Sequence, residues 1–241
     1  MSANSNSNSA GGPGCDHSPD ANTKPNLAYN VTGQGQPVVF THGWLNSATV
    51  WSKVITELDG SVRSVSWDLR GHGESQAAPP GQYGRAESLG DMDQMVDKVG
   101  APALLVGHSL GGYLSLAYAI ENPERVSGLV LVAAGPGFRN PDSLRAWNES
   151  VAEMAARRDP PIPQGMEEIS MHVDSMVLDR LGEIVVPTAV VVGERDKRFL
   201  ASAEVFGRYL TVTQTDIVAG AGHMVHVSEP GAVAAAIRSL S

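Results

Sequence analysis

The stretch Leu104-Leu105-Val106-Gly107-His108-Ser109-Leu110-Gly111-Gly112-Tyr113 (residues 104–113) decides the fold. A buried-strand pattern over Ala103–Gly107 runs straight into a serine bracketed by glycines. A helical pattern opens at Leu110 and continues to about Asn122, before Pro123. A serine projected from so sharp a strand-to-helix turn takes up a strained backbone conformation. Side chains at Gly107 and Gly111 would collide with neighbouring backbone there. The helix that starts at Leu110 also aims its first N–H groups at any negative charge that develops beside the serine. A bare G-x-S-x-G is a weak pattern. Set between a buried strand and a helix, with Gly112 added, it is a strong one and marks Ser109 as a candidate nucleophile.

Working outward, short apolar runs rich in β-branched residues alternate with helical spacings. Strands are expected at Pro37–Thr41, Val62–Leu69, Ala103–Gly107, Val126–Ala134, Thr188–Gly193 and, more weakly, Thr213–Val218. Helical spacing appears around Val50–Leu58, through Met92, Met95, Val96 and Val99, and at Val233–Leu240. This alternation implies βαβ units and a mostly parallel sheet covered on both faces. Continuous runs such as Leu129-Val130-Leu131-Val132 fit burial on both faces. Residues 137–183 break the rhythm: they hold no strand pattern, and two helical patterns flank Asp159-Pro160-Pro161-Ile162-Pro163. This segment is read as an insertion of two or three helices.

Of 241 residues, 42% are hydrophobic and 18% charged, which suits a globular protein with a sizeable core. The formal net charge is −9 and no basic cluster occurs, so neither nucleic acid nor an anionic membrane surface is an expected partner. No apolar run approaches the ~20 residues needed to cross a bilayer. Residues 1–24 are rich in Ser, Asn and Gly and lack an apolar stretch, so they are read as a disordered tail and not as a secretory signal. The only cysteine, Cys15, lies in that tail, which rules out an internal disulfide and fits a reducing cytoplasm.

The segments His42-Gly43-Trp44, Trp67-Asp68-Leu69-Arg70-Gly71-His72-Gly73-Glu74-Ser75, Gly107–Gly112, Gly193-Glu194-Arg195-Asp196 and Gly222-His223 follow one another in this order. Together they resemble the α/β-hydrolase superfamily across roughly residues 27–240. The resemblance implies an eight-stranded, mostly parallel sheet with helices on both faces, and often a helical cap. The expected organisation is a hydrolase core at 25–136 and 184–241, with a short cap at 137–183.

A serine hydroxyl needs an adjacent base to act as a nucleophile at neutral pH. Seven histidines compete for that role. His17 is in the tail, and His172 in the insertion can at most line a pocket. The resemblance gives scaffold roles to His42 and His72, and His108 should point away from the serine it precedes. His223, after Gly220-Ala221-Gly222, resembles the family's base; His226 is the alternative. Asp196, in a G-x-x-D turn after Thr188–Gly193, stands where the family's acid usually does. Glu194 competes with it, while the other family position for the acid, here Ala133-Ala134-Gly135, holds no carboxylate. The order Ser109, Asp196, His223 is the one this architecture expects. Glu229-Pro230 approximates a further family pattern, with no catalytic role for Glu229. The oxyanion hole implied by the resemblance uses the backbone N–H groups of Leu110 and Trp44. Asp68, Arg70 and Ser75 are read as a hydrogen-bonded structural loop.

Serine at this turn argues against relatives that place aspartate there, the haloalkane dehalogenases and epoxide hydrolases. Carboxylesterases and lipases, carbon–carbon hydrolases of ring-cleavage products, lactonases, thioesterases and perhydrolases remain. The leading expectation is cleavage of a small to medium apolar carboxylic ester through an acyl-enzyme, with no metal or cofactor. Trp44, Trp147 and Met171 are candidate substrate contacts; Trp147 and Met171 belong to an apolar insertion surface that also offers Met154, Met166, Met176 and Val177. These residues either cover an acyl or aryl group or pack the insertion onto the core. A carbon–carbon hydrolase would need a cation for a second carboxylate, for which Arg139, Arg145 and Arg180 are candidates. A non-catalytic ligand-binding protein is the reading from a different class, and the intact serine, acid and base argue against it.

Overall fold

A computed structural model describes residues 25–240; the expected tail, with Cys15 and His17, lies outside the described residues. The apolar runs form strands β1 (Tyr29–Thr32), β2 (Gln36–Thr41), β3 (Val62–Trp67), β4 (Ala103–His108), β5 (Val126–Val132), β6 (Thr188–Gly193) and β7 (Val212–Val218). They lie in one sheet in the order β1-β3-β2-β4-β5-β6-β7. All neighbours are parallel except β1, which runs antiparallel to β3 with Tyr29 opposite Trp67.

Two differences from the sequence reading stand out. The described residues form seven strands where eight are expected. The chain just ahead of β1 does not pair as a further strand; its carbonyls are taken by the loop that follows β3, Asp68 N–H on Ala28 O (2.9 Å) and Gln76 N–H on Asn26 O (2.9 Å). The other difference is β1 itself, which sequence patterning misses. It is four residues long, and only Val31 is even partly buried.

Side chains alternate across the sheet because successive residues of a strand face opposite ways. Leu105, Leu129, Leu131 and Val190 enter one core with residues of α2 (Arg85–Val99) and α3 (Leu110–Glu121). Leu104, Val106, Val130, Val132 and Val191 enter the other, with Trp51 and Val54 beside α1 (Ser52–Glu57) and Val233, Ala236 and Ile237 of the C-terminal helix Pro230–Arg238. Each fully buried aliphatic side chain contributes roughly 1.5–3 kcal/mol relative to exposure. A central strand that feeds two cores at once cannot slip in register without exposing both.

Between β5 and β6, helix α4 (Pro141–Ala156) starts at a strong cap: the Asn140 side chain accepts from the N–H groups of Asp142 (2.8 Å) and Ser143 (3.0 Å), with Pro141 at the first position. The second helical pattern of this segment resolves into short turns. These are 3₁₀ turns at Met166–Ser170 and Leu181–Glu183 with one helical turn, α5 (Met176–Asp179), between them. Three more helices follow: α6 (Lys197–Tyr209), α7 (Val225–Ser228) and α8 (Pro230–Arg238). Among the described residues no helix is long and apolar enough to cross a membrane.

Leu105 is 1% exposed at the centre of the sheet. Leu105→Ala should cost about 2–5 kcal/mol through the cavity it leaves, read as a lower urea midpoint; a loss below ~1 kcal/mol would contradict this packing.

Candidate active site

A parallel sheet delivers the carboxyl ends of its strands to a single edge, where open α/β sheets place their ligands. Here β2 leads to Trp44, β4 to Ser109, β6 to Asp196 and β7 to His223. Ser109 has φ 51° and ψ −113°, in the positive-φ region that a non-glycine residue occupies only under constraint. That constraint is close packing. A β-carbon at Gly107 would lie 2.4 Å from the carbonyl of Gly111, and one at Gly111 would lie 2.2 Å from the Thr41 oxygen. The Ser109 N–H is held by Val132 O at 2.9 Å, which ties the turn to β5.

Leu110 is the first residue of α3, so its N–H has no acceptor within the helix. The His42-Gly43-Trp44 loop lies directly against this turn, because a β-carbon on Gly43 would come within 3.2 Å of Ser109 Cβ. Leu110 and the Trp44 loop thus flank the serine.

On the other side, the Asp196 carboxylate is buried and its Oδ2 lies 2.7 Å from His223 Nδ1. A carboxylate only accepts, so Nδ1 carries a proton and Nε2 is the ring nitrogen left free of the Asp196 contact. The His223 ring is clamped between Phe199, stacked at 5.0 Å, and His108 at 4.7 Å. Behind it the column continues through His226, 4.2 Å from His108, to Trp51, 4.6 Å from His226. His108 Nε2 donates to the His223 carbonyl at 3.0 Å, so this histidine faces the base loop from behind. Glu194 accepts from Gly220 N–H at 2.8 Å and pins the loop that carries His223, while Asp196 makes the imidazole contact.

Two cavities meet at Ser109. The inner one, about 90 Å³, is walled by Leu110, Tyr113, Phe138, Trp147, His172 and Phe199. The outer one, about 350 Å³, is lined by Trp44, Met154, Asp196, Arg198, His223 and Trp147. Trp147 and Trp44 therefore stand at the site. Met171 does not: it lines a separate cavity with Arg85, Ile169 and Val173, on the far side of Tyr113. Of the other apolar insertion residues, Met166 and Val177 are buried in the core, Met176 packs against it, and Met154 reaches the outer cavity.

The arginines considered for a second carboxylate are committed elsewhere. Arg139 pairs with Asp179 (2.7 Å), Arg145 with Asp142, and Arg180 with Glu121 (2.6 Å) and Glu183 (2.8 Å). Arg198 lines both cavities and escaped sequence reasoning, since it sits in an ordinary charge run, Arg195-Asp196-Lys197-Arg198.

The W-D-L-R-G-H-G-E-S turn is a hydrogen-bonded scaffold. Asp68 accepts from the N–H groups of Ala48 (2.6 Å) and Glu74 (2.8 Å), and Ser75 Oγ donates to Asp68 O (2.6 Å). Arg70 is buried against Asp91 at 2.7 Å.

Residues 36–175 match the family model described as alpha/beta hydrolase fold. A Bacillus subtilis (strain 168) protein named "Putative 2-succinyl-6-hydroxy-2,4-cyclohexadiene-1-carboxylate synthase" is 26% identical over 253 residues, covering 85% of this chain and 91% of that protein. A pimeloyl-[acyl-carrier protein] methyl ester esterase from Nitrosomonas europaea is 36% identical over 113 residues, covering 46% of this chain and 42% of the relative; the match thus spans less than half of that protein's length. Among solved structures, a thermophilic esterase from Thermogutta terrifontis, described as malate bound, matches with a TM-score of 0.73 at 26% identity, over 88% of this chain and 92% of that one.

Five histidines around and beneath the site are buried. Burial lowers His42 to about 3, with repulsion from His72 adding to it. It lowers His172 and His226 to about 4, and pushes His72 and His108 down as well. His42 is held neutral with Nδ1–H donating to Gly43 O (2.7 Å) and Nε2 accepting from Leu69 N–H (3.0 Å). Both ring nitrogens of His226 lack a hydrogen-bond partner among the described residues. An imidazole whose folded pKa lies below its unfolded value of 6.5 takes up a proton on unfolding. Its stability is whole above pH ~6.5 and is lost as pH falls toward the folded value. The urea midpoint should therefore fall between pH 7 and pH 5, by about 2 kcal/mol of stability for each imidazole with a folded pKa near 4 or below. His226→Leu should reduce that fall, and a midpoint independent of pH across this window would refute the assignment.

Proposed function

Because the chain belongs to the α/β-hydrolase fold family, we propose that it is a serine hydrolase that cleaves carboxylic esters through an acyl-enzyme on Ser109. The observation that carries this reading is the meeting, in one cavity, of a serine held at positive φ and an imidazole whose Nδ1 is 2.7 Å from a buried carboxylate. Residues 137–183 act in this reading as a short cap that supplies Trp147 and Met154 to the cavity walls.

His223 Nε2 removes the Ser109 proton as Oγ attacks the ester carbonyl, and Asp196 steadies the resulting imidazolium. The N–H groups of Leu110 and Trp44 hold the oxyanion. Collapse of the tetrahedral species breaks the bond to the leaving alkoxide, which receives the proton from His223. Water, deprotonated by the same imidazole, then attacks the acyl-serine and releases the acid with Ser109 restored. The clamp of Phe199 and His108 keeps the imidazole plane fixed through both halves. The esterase names of two of the relatives described above support the choice of ester, and the Bacillus subtilis relative's different name makes a dienoic carboxylate a necessary member of any substrate panel.

The small inner cavity suits a short acyl group and the larger outer one a leaving group of modest size. A fluorophosphonate probe should label Ser109 and fail to label Ser109→Ala. Ser109→Ala should lower kcat on p-nitrophenyl butyrate by on the order of 10⁶ and Asp196→Asn by about 10⁴; a folded wild-type protein that neither labels nor turns over any ester would overturn this reading. Across p-nitrophenyl esters, kcat/KM should peak at short acyl chains and drop at decanoate; a flat series would rule out the inner cavity as the acyl site.

A further inference from the structure

Among the described residues, the two cavities at Ser109 are lined by two side chains of fixed charge, Asp196 and Arg198. Asp196 is spent on His223. Arg198, in the first turn of α6, has no carboxylate within ion-pair distance among the described residues, in contrast to Arg70, Arg85, Arg139, Arg145 and Arg180. Its guanidinium carbon lies 5.3 Å over the ring of Trp147. That indole is itself a fixed platform: its N–H donates to Ser170 O at 2.7 Å, and Phe138 packs against it at 5.6 Å. A guanidinium laid on an aromatic face keeps its in-plane donors free, in the forked geometry that matches a carboxylate.

Arg198 is exposed, so beside a wholly apolar ester these donors would bond only to water, whereas a carboxylate on the substrate would engage them directly. The fork fits carboxylate and phosphate alike, but one monovalent cation balances the charge of a carboxylate and only part of that of a phosphate dianion. We propose that Arg198, seated on Trp147, binds a carboxylate carried by the substrate, so that the preferred esters are half-esters of dicarboxylic acids or comparable carboxylated esters. The inference rests on the ester-hydrolase reading and narrows its substrate class to esters that carry a carboxylate, where the sequence alone suggests apolar ones.

The test compares monomethyl glutarate with its uncharged isostere methyl 5-methylhexanoate, followed by pH-stat. Wild type should favour the half-ester in kcat/KM by at least about tenfold, with the margin shrinking as salt is raised. Arg198→Gln should erase the preference, and Arg198→Lys should restore part of it. Equal rates on the two esters in wild type, or an equal loss on both in Arg198→Gln, would overturn the proposal; the latter would reduce Arg198 to packing on Trp147. Failure of the hydrolase reading looks different, since neither ester would turn over and Ser109 would not take the fluorophosphonate. Calorimetry with monomethyl glutarate then decides the matter without turnover. Binding to Ser109→Ala that weakens at least about tenfold in Ser109→Ala/Arg198→Gln upholds the proposal, and no binding or equal binding ends it.

Discussion

Where α3 crosses the end of β2 there is no space for a β-carbon, and one at Gly111 would sit 2.2 Å from the Thr41 carbonyl oxygen. This contact lets the helix start almost on top of the sheet edge, and the chain between β4 and α3 can then turn only through a residue at positive φ, Ser109. It also brings the loop after β2 against the serine, so one close approach sets both the serine and the loop that flanks it. The rest of the sheet serves this arrangement. Parallel β6 and β7 end at the same edge and deliver Asp196 and His223. Two cores, one on each face, hold the register that makes those ends coincide.

Behind the proposed base, ring packing is joined by a hydrogen bond from His108 Nε2 to the His223 carbonyl. Trp51, His226, His108, His223 and Phe199 form a continuous column from the core to the cavity. Burial favours the neutral form of the inner imidazoles, and a neutral imidazole packs much as an aromatic ring does. Among these imidazoles, only the outermost, His223, faces a carboxylate.

Much of this was legible in the sequence because the relevant residues sit at chain punctuation. Gly107 and Gly111 announce a turn that only a close approach requires, and long runs such as Leu129–Val132 announce a two-faced strand. Each strand read from the sequence lies within two residues of its place in the fold at either end. What escaped follows from physics that local pattern does not carry. β1 is short and mostly exposed, so it offers no periodicity. Met171 is apolar like any pocket residue, yet whether it faces Ser109 or the far side of Tyr113 depends on how the insertion folds back. That segment is broken into 3₁₀ turns stitched by Asn148, whose amide bonds both the His172 N–H (2.9 Å) and carbonyl (2.8 Å). Arg198 reads as one more solvated charge until α4 brings Trp147 beneath it.

The strand order from β4 to β7 carries one more consequence. Each new strand is laid against the last in the order of the chain, so the sheet extends outward toward the C-terminus. During synthesis the residues of the serine turn leave the ribosome before those of β6 and β7. A chain cut short before β7 therefore holds the proposed nucleophile with nothing to take its proton. The proposed base, on the loop after the outermost strand, is the last of the proposed reacting groups to be made.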